Sequence, residues 1–177
     1  MSKIATQLDL KSFVRDIPDF PKPGIVFKDI TPLLKNPQAF SQAIAQMSEP
    51  WQGQPIDHVI GIESRGFMFG APMAVRLGAG FIPIRKPHKL PAEAFEVEYD
   101  LEYGKDKLGV HKDAVRPGER VLIVDDVLAT GGTMQACVEL ARKLGADVAG
   151  IAFLIELSFL NGRQKIQGQK IHRLIEY

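Results

Sequence analysis

The 177-residue chain has a single cysteine, Cys137, and a single tryptophan, Trp51. One cysteine cannot build an intrachain disulfide framework, so a reducing cytoplasm is the expected compartment. No apolar run approaches the length that spans a bilayer. The first segment, "MSKIATQLDLKSFVRDI", alternates its charges and lacks the apolar stretch of a secretory signal. Net charge is only +1, so no global field draws nucleic acid or an anionic membrane, and any charge-based function must be local. The four histidines show no metal-ligand spacing. The chain has no Gly-Lys-Ser/Thr and no G-x-G-x-x-G, which excludes a Walker loop and a dinucleotide fingerprint. Internal repeats and low-complexity tracts are also absent.

What remains is an ordinary globular composition, 45% apolar and 24% charged, at a length that favours one domain. Apolar positions 8, 10, 13, 14 and 17 predict a short amphipathic helix over Leu8–Ile17. "PDFPKPG" (Pro18–Gly24) then stops regular structure. "IVFKDI" (Ile25–Ile30) reads as extended, and Asn36–Glu49 as a helix with Pro37 near its start. "HVIGI" (His58–Ile62), "GFIPIRK" (Gly80–Lys86), Val121–Val124 and "VAGIAFLIEL" (Val148–Leu157) read as buried strands. Between them lie helices ending at Gly78 and near Leu144. Met134, Cys137, Val138, Ala141 and Leu144 share one face of the second helix, which makes Cys137 a core residue rather than a nucleophile. Strands alternating with helices predict an α/β fold with a mostly parallel sheet and helices on both faces.

One segment breaks the order. "FEVEYDLEYG" alternates Phe95, Val97, Tyr99, Leu101 and Tyr103 with acids, the period-two pattern of a half-exposed strand. Lys86–His111 is therefore expected to be an excursion from the core, with a hairpin as one form, and excursions of this length often serve as lids.

Ligands of open α/β sheets bind beyond the carboxyl ends of the strands. Here those ends carry Glu63-Ser64-Arg65-Gly66, Arg85-Lys86, Asp125-Asp126 through Thr133, and Glu156-Leu157. Ala129-Thr130-Gly131-Gly132-Thr133 opens a helix, where free N–H groups and the helix dipole favour an anion. Without a lysine the loop suits one phosphate; the plain alternative is a strand-to-helix turn. Asp125 and Asp126 repel each other unless a metal ion or a pair of sugar hydroxyls offsets them. Arg65 can fork onto phosphate oxygens, or simply pair with Glu63.

"VLIVDDVLATGGT" resembles the phosphoribosyl-pyrophosphate (PRPP) motif of the type I phosphoribosyltransferases. That resemblance implies their α/β fold: a mostly parallel twisted sheet flanked by helices, an N-terminal hood over residues 1–35, and a flexible catalytic lid over 86–111, in one domain spanning 1–177. It implies that Asp125 and Asp126 hold the ribose hydroxyls and that Ala129, Thr130, Gly131, Gly132 and Thr133 cradle the 5-phosphate. The runs Pro18–Leu34, Glu63–Phe67, Ile84–Pro91, Leu101–Lys105 and Glu156–Arg163 are similar to the adenine-using members of that family, in the same order along the chain. The implied reaction, of purine salvage, is adenine plus PRPP giving AMP and pyrophosphate, with Mg²⁺ held mainly by ligand oxygens and water.

The same resemblance implies the remaining roles. Backbone groups of Val26 and Lys28 read the purine edge, Phe27 stacks on one face and Leu157 covers the other. Arginine often stands in the family where this chain has Lys28. Oxopurine-using relatives carry an aspartate where this chain has Ala129, which favours a 6-aminopurine. Arg65, Arg85, Lys86 and Lys89 meet pyrophosphate, although lone basic residues on loops are commonly just solvated. Glu102 becomes the general acid/base candidate, with Tyr103 packed over the ligand. A non-proline cis peptide is implied near Glu63–Ser64–Arg65. A homodimer is implied, with residues near Arg85 reaching the partner's site. A transferase for another purine such as xanthine, or a non-catalytic PRPP-binding regulator, are the competing readings, and neither nucleic acid nor membrane is an expected partner.

Overall fold

The computed structural model describes residues 7–100 and 105–177. The chain divides into two compact units, Met1–Gln46 and Met47–Tyr177.

In the first unit, strands β1 (Arg15–Pro18) and β2 (Val26–Asp29) form an antiparallel pair, followed by helices α1 (Thr31–Lys35) and α2 (Pro37–Ser48), the last turn of which crosses the unit boundary. The helix expected over Leu8–Ile17 is not formed. Leu10–Phe13 is a 3-10 turn capped by Asp9, and the following residues pair with β2. A ten-residue helix is marginal by itself, whereas β1 gains a backbone ladder and two cross-strand ion pairs. Arg15 reaches Asp29 at 2.6 Å and Lys28 reaches Asp16 at 2.7 Å, each with its register partner. The proline-rich "PDFPKPG" supplies the expected turn, where Asp19 Oδ1 accepts from Gly24 N at 2.8 Å. Asn36 Oδ1 accepts from the amides of Gln38 and Ala39, both at 3.0 Å, and so caps α2 ahead of Pro37.

The second unit holds a five-stranded, all-parallel sheet in the order β4-β3-β7-β8-β9. Its strands are β3 (His58–Ile62), β4 (Gly80–Ile84), β7 (Arg120–Leu128), β8 (Asp147–Glu156) and β9 (Ile171–Glu176). Four match the sequence expectation; β9 carried no apolar run long enough to announce it. Helix α3 (Arg65–Leu77) connects β3 to β4 and ends at Gly78, whose φ is 68°. Helix α4 (Gly132–Lys143) connects β7 to β8. The α3 connection moves one way from the middle of the sheet and the α4 connection the other way. Since such crossovers are right-handed, the two helices cover opposite faces.

The excursion is a hairpin, β5 (Ala94–Asp100) against β6 (Lys105–His111). Its stem does more than the expected lid would. Val97, Leu108 and Val110 are buried in the same core cluster as the α4 and sheet residues, and Phe95 and Tyr99 pack against it. Gly109 and Arg85 exchange backbone hydrogen bonds of 3.0 and 2.7 Å, which stitch the stem to the end of β4. Helix α4 is consequently covered on two sides. The expected stripe of Met134, Cys137, Val138, Ala141 and Leu144 is buried, and Ala136 and Leu140 are buried beside it. Trp51 is fully buried, with the Lys170 ammonium 4.5 Å from the centre of its ring. A Cβ at Gly150 would lie 2.1 Å from that ring, which explains a glycine in the middle of a buried strand. No helix among the described residues is long and apolar enough to cross a membrane.

Candidate active site

The two crossovers leave β3 and β7 side by side with their connections departing in opposite directions. That is the switch point where α/β sheets open a crevice at the strand ends. A cavity of about 410 Å³ lies there, lined by Ile62–Arg65 at the end of β3, by Asp125–Met134 from the last residues of β7 into the first turn of α4, and by Lys86, Tyr99 and Asp106.

Two glycines allow the walls to come this close. A Cβ on Gly66 would lie 2.8 Å from Val124 O and 2.9 Å from Asp125 Oδ1, so the first turn of α3 rests on the end of β7. That contact delivers Arg65, whose Nε is 2.9 Å from Asp126 Oδ2. Glu63, the partner weighed for Arg65 from sequence, meets Arg85 and Lys89. Gly162 plays a matching part beneath the Ala129–Thr133 loop. Its Cβ would lie 2.2 Å from Ala129 O, and a Cβ on Gly131 would lie 2.4 Å from Gly162 O. Loop and buttress meet backbone to backbone. Gly131 has φ 81°, a left-handed conformation that glycine adopts without strain, and it turns the chain into α4 at Gly132. The residues of that first turn, Gly132 to Met134, line the cavity with no lysine among them, and the first amides of a helix have no acceptor within it.

The two acids sit in an expensive place. Asp126 is buried at 3% exposure, and its amide donates to Asp125 Oδ1 at 2.9 Å. Burial, followed by the neighbouring Asp126, pushes the Asp125 carboxyl well above the ordinary carboxylate range. Burial also raises Asp126, and Arg65 draws it back. Such a pair is suited to donors that arrive with a ligand, such as vicinal hydroxyls.

Cations ring the opposite wall. Glu63 accepts from Arg85 Nε at 3.3 Å, from the amide of Lys86 at 3.3 Å, and from Lys89 Nζ. Burial raises its carboxyl, but these partners together hold it below its usual value. Lys86 Nζ pairs with Asp106, whose carboxyl Lys86 holds low. Tyr99 donates to Asp106 at 3.4 Å. The Glu63–Ser64 peptide is cis, at the place the sequence resemblance implied.

Most of the expected residues therefore converge: Arg65, Lys86, Asp125, Asp126 and Ala129 through Thr133 line one cavity, and Arg85 and Lys89 are tied to it through Glu63. Val26, Phe27 and Lys28 lie on β2 of the first unit, where Phe27 meets Phe20 edge to face at 5.2 Å. Leu157 follows β8 in the second unit, its amide donating to Leu128 O at 2.9 Å. Next to it, buried Glu156 is gripped by Arg163 at 2.5 and 2.6 Å and by Arg173 at 2.8 Å. Glu102 and Tyr103 lie outside the described residues. Sequence reasoning missed Tyr99, Asp106 and Gly162 as parts of the site, and placed Gly66 at a strand end without its packing role. Tyr99 was legible as an inward position of β5; Asp106 carries no motif; the glycines declare themselves only through what a Cβ would strike.

Among the described residues, no group of three or more His, Cys, Asp or Glu could hold a metal ion. Two carboxylates, one already engaged by Arg65, leave a divalent cation dependent on oxygens that a ligand brings.

Comparison with known proteins agrees with this geometry. The phosphoribosyl transferase domain matches residues 29–171. An adenine phosphoribosyltransferase of Carboxydothermus hydrogenoformans is 56% identical over 170 residues, covering 96% of this chain and 100% of that relative. The crystal structure of adenine phosphoribosyltransferase from Thermoanaerobacter pseudethanolicus superposes with a TM-score of 0.92 at 54% identity, over 95% of this chain and 98% of that one. The Saccharomyces cerevisiae enzyme, solved with adenine and an imino-altritol bisphosphate, gives a TM-score of 0.88 at 40% identity, over 93% and 95%. With the strand-end acids, the glycine loop and the whole-chain match in agreement, the chain belongs to the phosphoribosyltransferase family and, within it, to the adenine phosphoribosyltransferases.

Proposed function

We propose that the chain transfers the 5-phosphoribosyl group of PRPP to adenine, giving AMP and pyrophosphate in purine salvage. The observation that carries this reading is the switch-point cavity, where half-buried Asp125 and buried Asp126 stand beside a lysine-free glycine loop and a cluster of cations. The loop from Ala129 to Thr133 takes the 5-phosphate, and Asp125 and Asp126 accept from the ribose hydroxyls. That orientation directs C1 of ribose and its pyrophosphate toward Arg65 and Lys86, with Arg85 and Lys89 nearby. The bond from C1 to the pyrophosphate oxygen breaks and adenine N9 bonds to C1, through a transition state in which positive charge develops on the sugar. The protein's work is to position both partners and to neutralise the departing charge. Mg²⁺, bound through PRPP oxygens and water, supplies further neutralisation of the phosphates.

Adenine is read by Val26, Phe27, Lys28 and Leu157. Ala129, standing where oxopurine users carry an acid, and relatives named for adenine support that choice. Glu102 takes the purine proton and Tyr103 covers the ligand. The reading includes one catalytic domain over 1–177 with a hood over 1–35, a homodimer and a cytoplasmic location.

The test mixes protein, PRPP and Mg²⁺ with each purine in turn and follows nucleotide formation by absorbance. AMP formation from adenine alone supports the proposal; turnover of xanthine or guanine instead, or of no base, replaces it with another transferase or a regulator. In the same assay, Glu102→Gln lowers kcat by about 100-fold or more with little change in the KM for PRPP, the size expected for losing a general acid/base. Full activity in that variant would remove Glu102 from the mechanism.

A further inference from the structure

Every cation assigned to pyrophosphate already has a carboxylate partner within the protein. Arg65 is held by Asp126, Arg85 and Lys89 by Glu63, and Lys86 by Asp106. Asp126 has a ribose role, and Glu63 also accepts the backbone amide of Lys86. Asp106 has neither task, yet its side chain lines the cavity.

The position of Asp106 is fixed independently of Lys86. Its Oδ1 accepts from the Lys107 amide at 2.8 Å, and its Oδ2 accepts from the Tyr99 hydroxyl at 3.4 Å. Asp106 stands on β6 with its side chain 24% exposed, whereas the Lys86 side chain is 39% exposed on a flexible stem. If Lys86 swings to a ligand, Asp106 keeps two donors and is not left as a bare buried charge. The arrangement is that of a fixed anion and a movable cation.

We propose that Asp106 is an internal competitor of pyrophosphate: it holds Lys86 in the empty site and must give it up whenever PRPP or pyrophosphate binds. The inference rests on the reading that Lys86 contacts pyrophosphate. Asp106 is then a positioning residue that weakens both PRPP and pyrophosphate binding, which keeps the product from clogging the site.

Asp106→Asn keeps the shape and the acceptor oxygen but gives up the charge. Binding of Mg²⁺-pyrophosphate is measured by calorimetry, and product inhibition and the KM for PRPP by initial rates. The expected result is tighter pyrophosphate binding and a lower KM for PRPP, each by about five-fold, the size of a partly exposed ion pair. A merely structural role would not produce a gain. Unchanged or weaker pyrophosphate binding in Asp106→Asn overturns the proposal. Lys86→Gln serves as the second arm. If it leaves pyrophosphate affinity unchanged, the assignment of Lys86 fails, and the competitor idea falls with it. If it weakens binding while Asp106→Asn does not tighten it, the assignment stands and only the competitor idea fails. In the double variant the Asp106→Asn gain must vanish; a gain that persists without Lys86 is general electrostatics and also overturns the proposal.

Discussion

Asp125 and Asp126 show how a single residue type can be costly for the fold and useful for the site. Both carboxyls are raised by burial, Asp125 further by its neighbour. The folded chain therefore holds protons more tightly there than the unfolded chain does. Asp125→Asn removes the repulsion and keeps an oxygen to accept from the Asp126 amide. Its ligand-free melting temperature should rise by a few degrees, as about 1 kcal/mol does in a domain of this size. The same change should lower kcat/KM for PRPP by about 10- to 100-fold, the value of one hydrogen bond to a charged group. A lower melting temperature in differential scanning would show that Asp125 is a structural acid instead. The paired acids and the lysine-free loop were readable in the sequence because they sit in one contiguous run, "DDVLATGGT". Arg65 was readable as a candidate, but its partner was not: the neighbouring Glu63 was the obvious choice, and the fold gave it Asp126.

At the scale of elements, contacts between backbones decide the geometry. Helix α3 lies against the end of β7 only because Gly66 has no side chain, and the phosphate loop rests on Gly162 for the same reason. Gly66→Ala places a methyl carbon 2.8 Å from a backbone oxygen, which a rotamer change cannot relieve. The helix start must shift and carry Arg65 away from Asp126. The expected outcome is a loss of about 1–3 kcal/mol in urea unfolding, the usual cost of overpacking. An increase in the KM for PRPP should accompany it. The buried Trp51 gives a fluorescence signal for that unfolding. A stable variant with unchanged KM would show that α3 has room to spare. The hairpin teaches a related lesson. Its period-two pattern correctly announced β5, but the same pattern could not say that α4 lies beneath it and buries Val97, Leu108 and Val110.

For the whole molecule, the site leaves a mark on stability against pH. Asp125 and Asp126 titrate above the ordinary carboxylate range in the folded state, so folding takes up protons there and stability falls as pH rises through their raised values. Asp29, Glu63 and Asp106 are shifted down, so their contribution is present above the ordinary carboxylate value and is lost as pH falls through their lowered ones. The ligand-free protein should therefore lose stability as pH rises through the raised carboxyls and lose it again as pH falls through the lowered ones, with a maximum between. Thermal scans from the acid to the alkaline side check the sign, and the decline with rising pH should shrink in Asp125→Asn. An Asp125→Asn variant whose decline with rising pH matches the parent's would contradict the raised carboxyls.

The sequence by itself determined the elements whose signals are local. Continuous apolar strands, helix stops at Gly78 and Gly145, the proline turn and the acid-plus-glycine run all depend on neighbours along the chain. It mispredicted Leu8–Ile17, where pairing with β2 outweighs a weak helical period, and passed over β9, which forms because β8 offers it an edge. Only the tertiary structure decided which charges meet. Lys86 with Asp106, Arg65 with Asp126, and Lys89 with Glu63 are separated by tens of residues. Whether two such groups come within hydrogen-bonding distance depends on how strands order themselves in a sheet and where a missing Cβ lets two backbones touch.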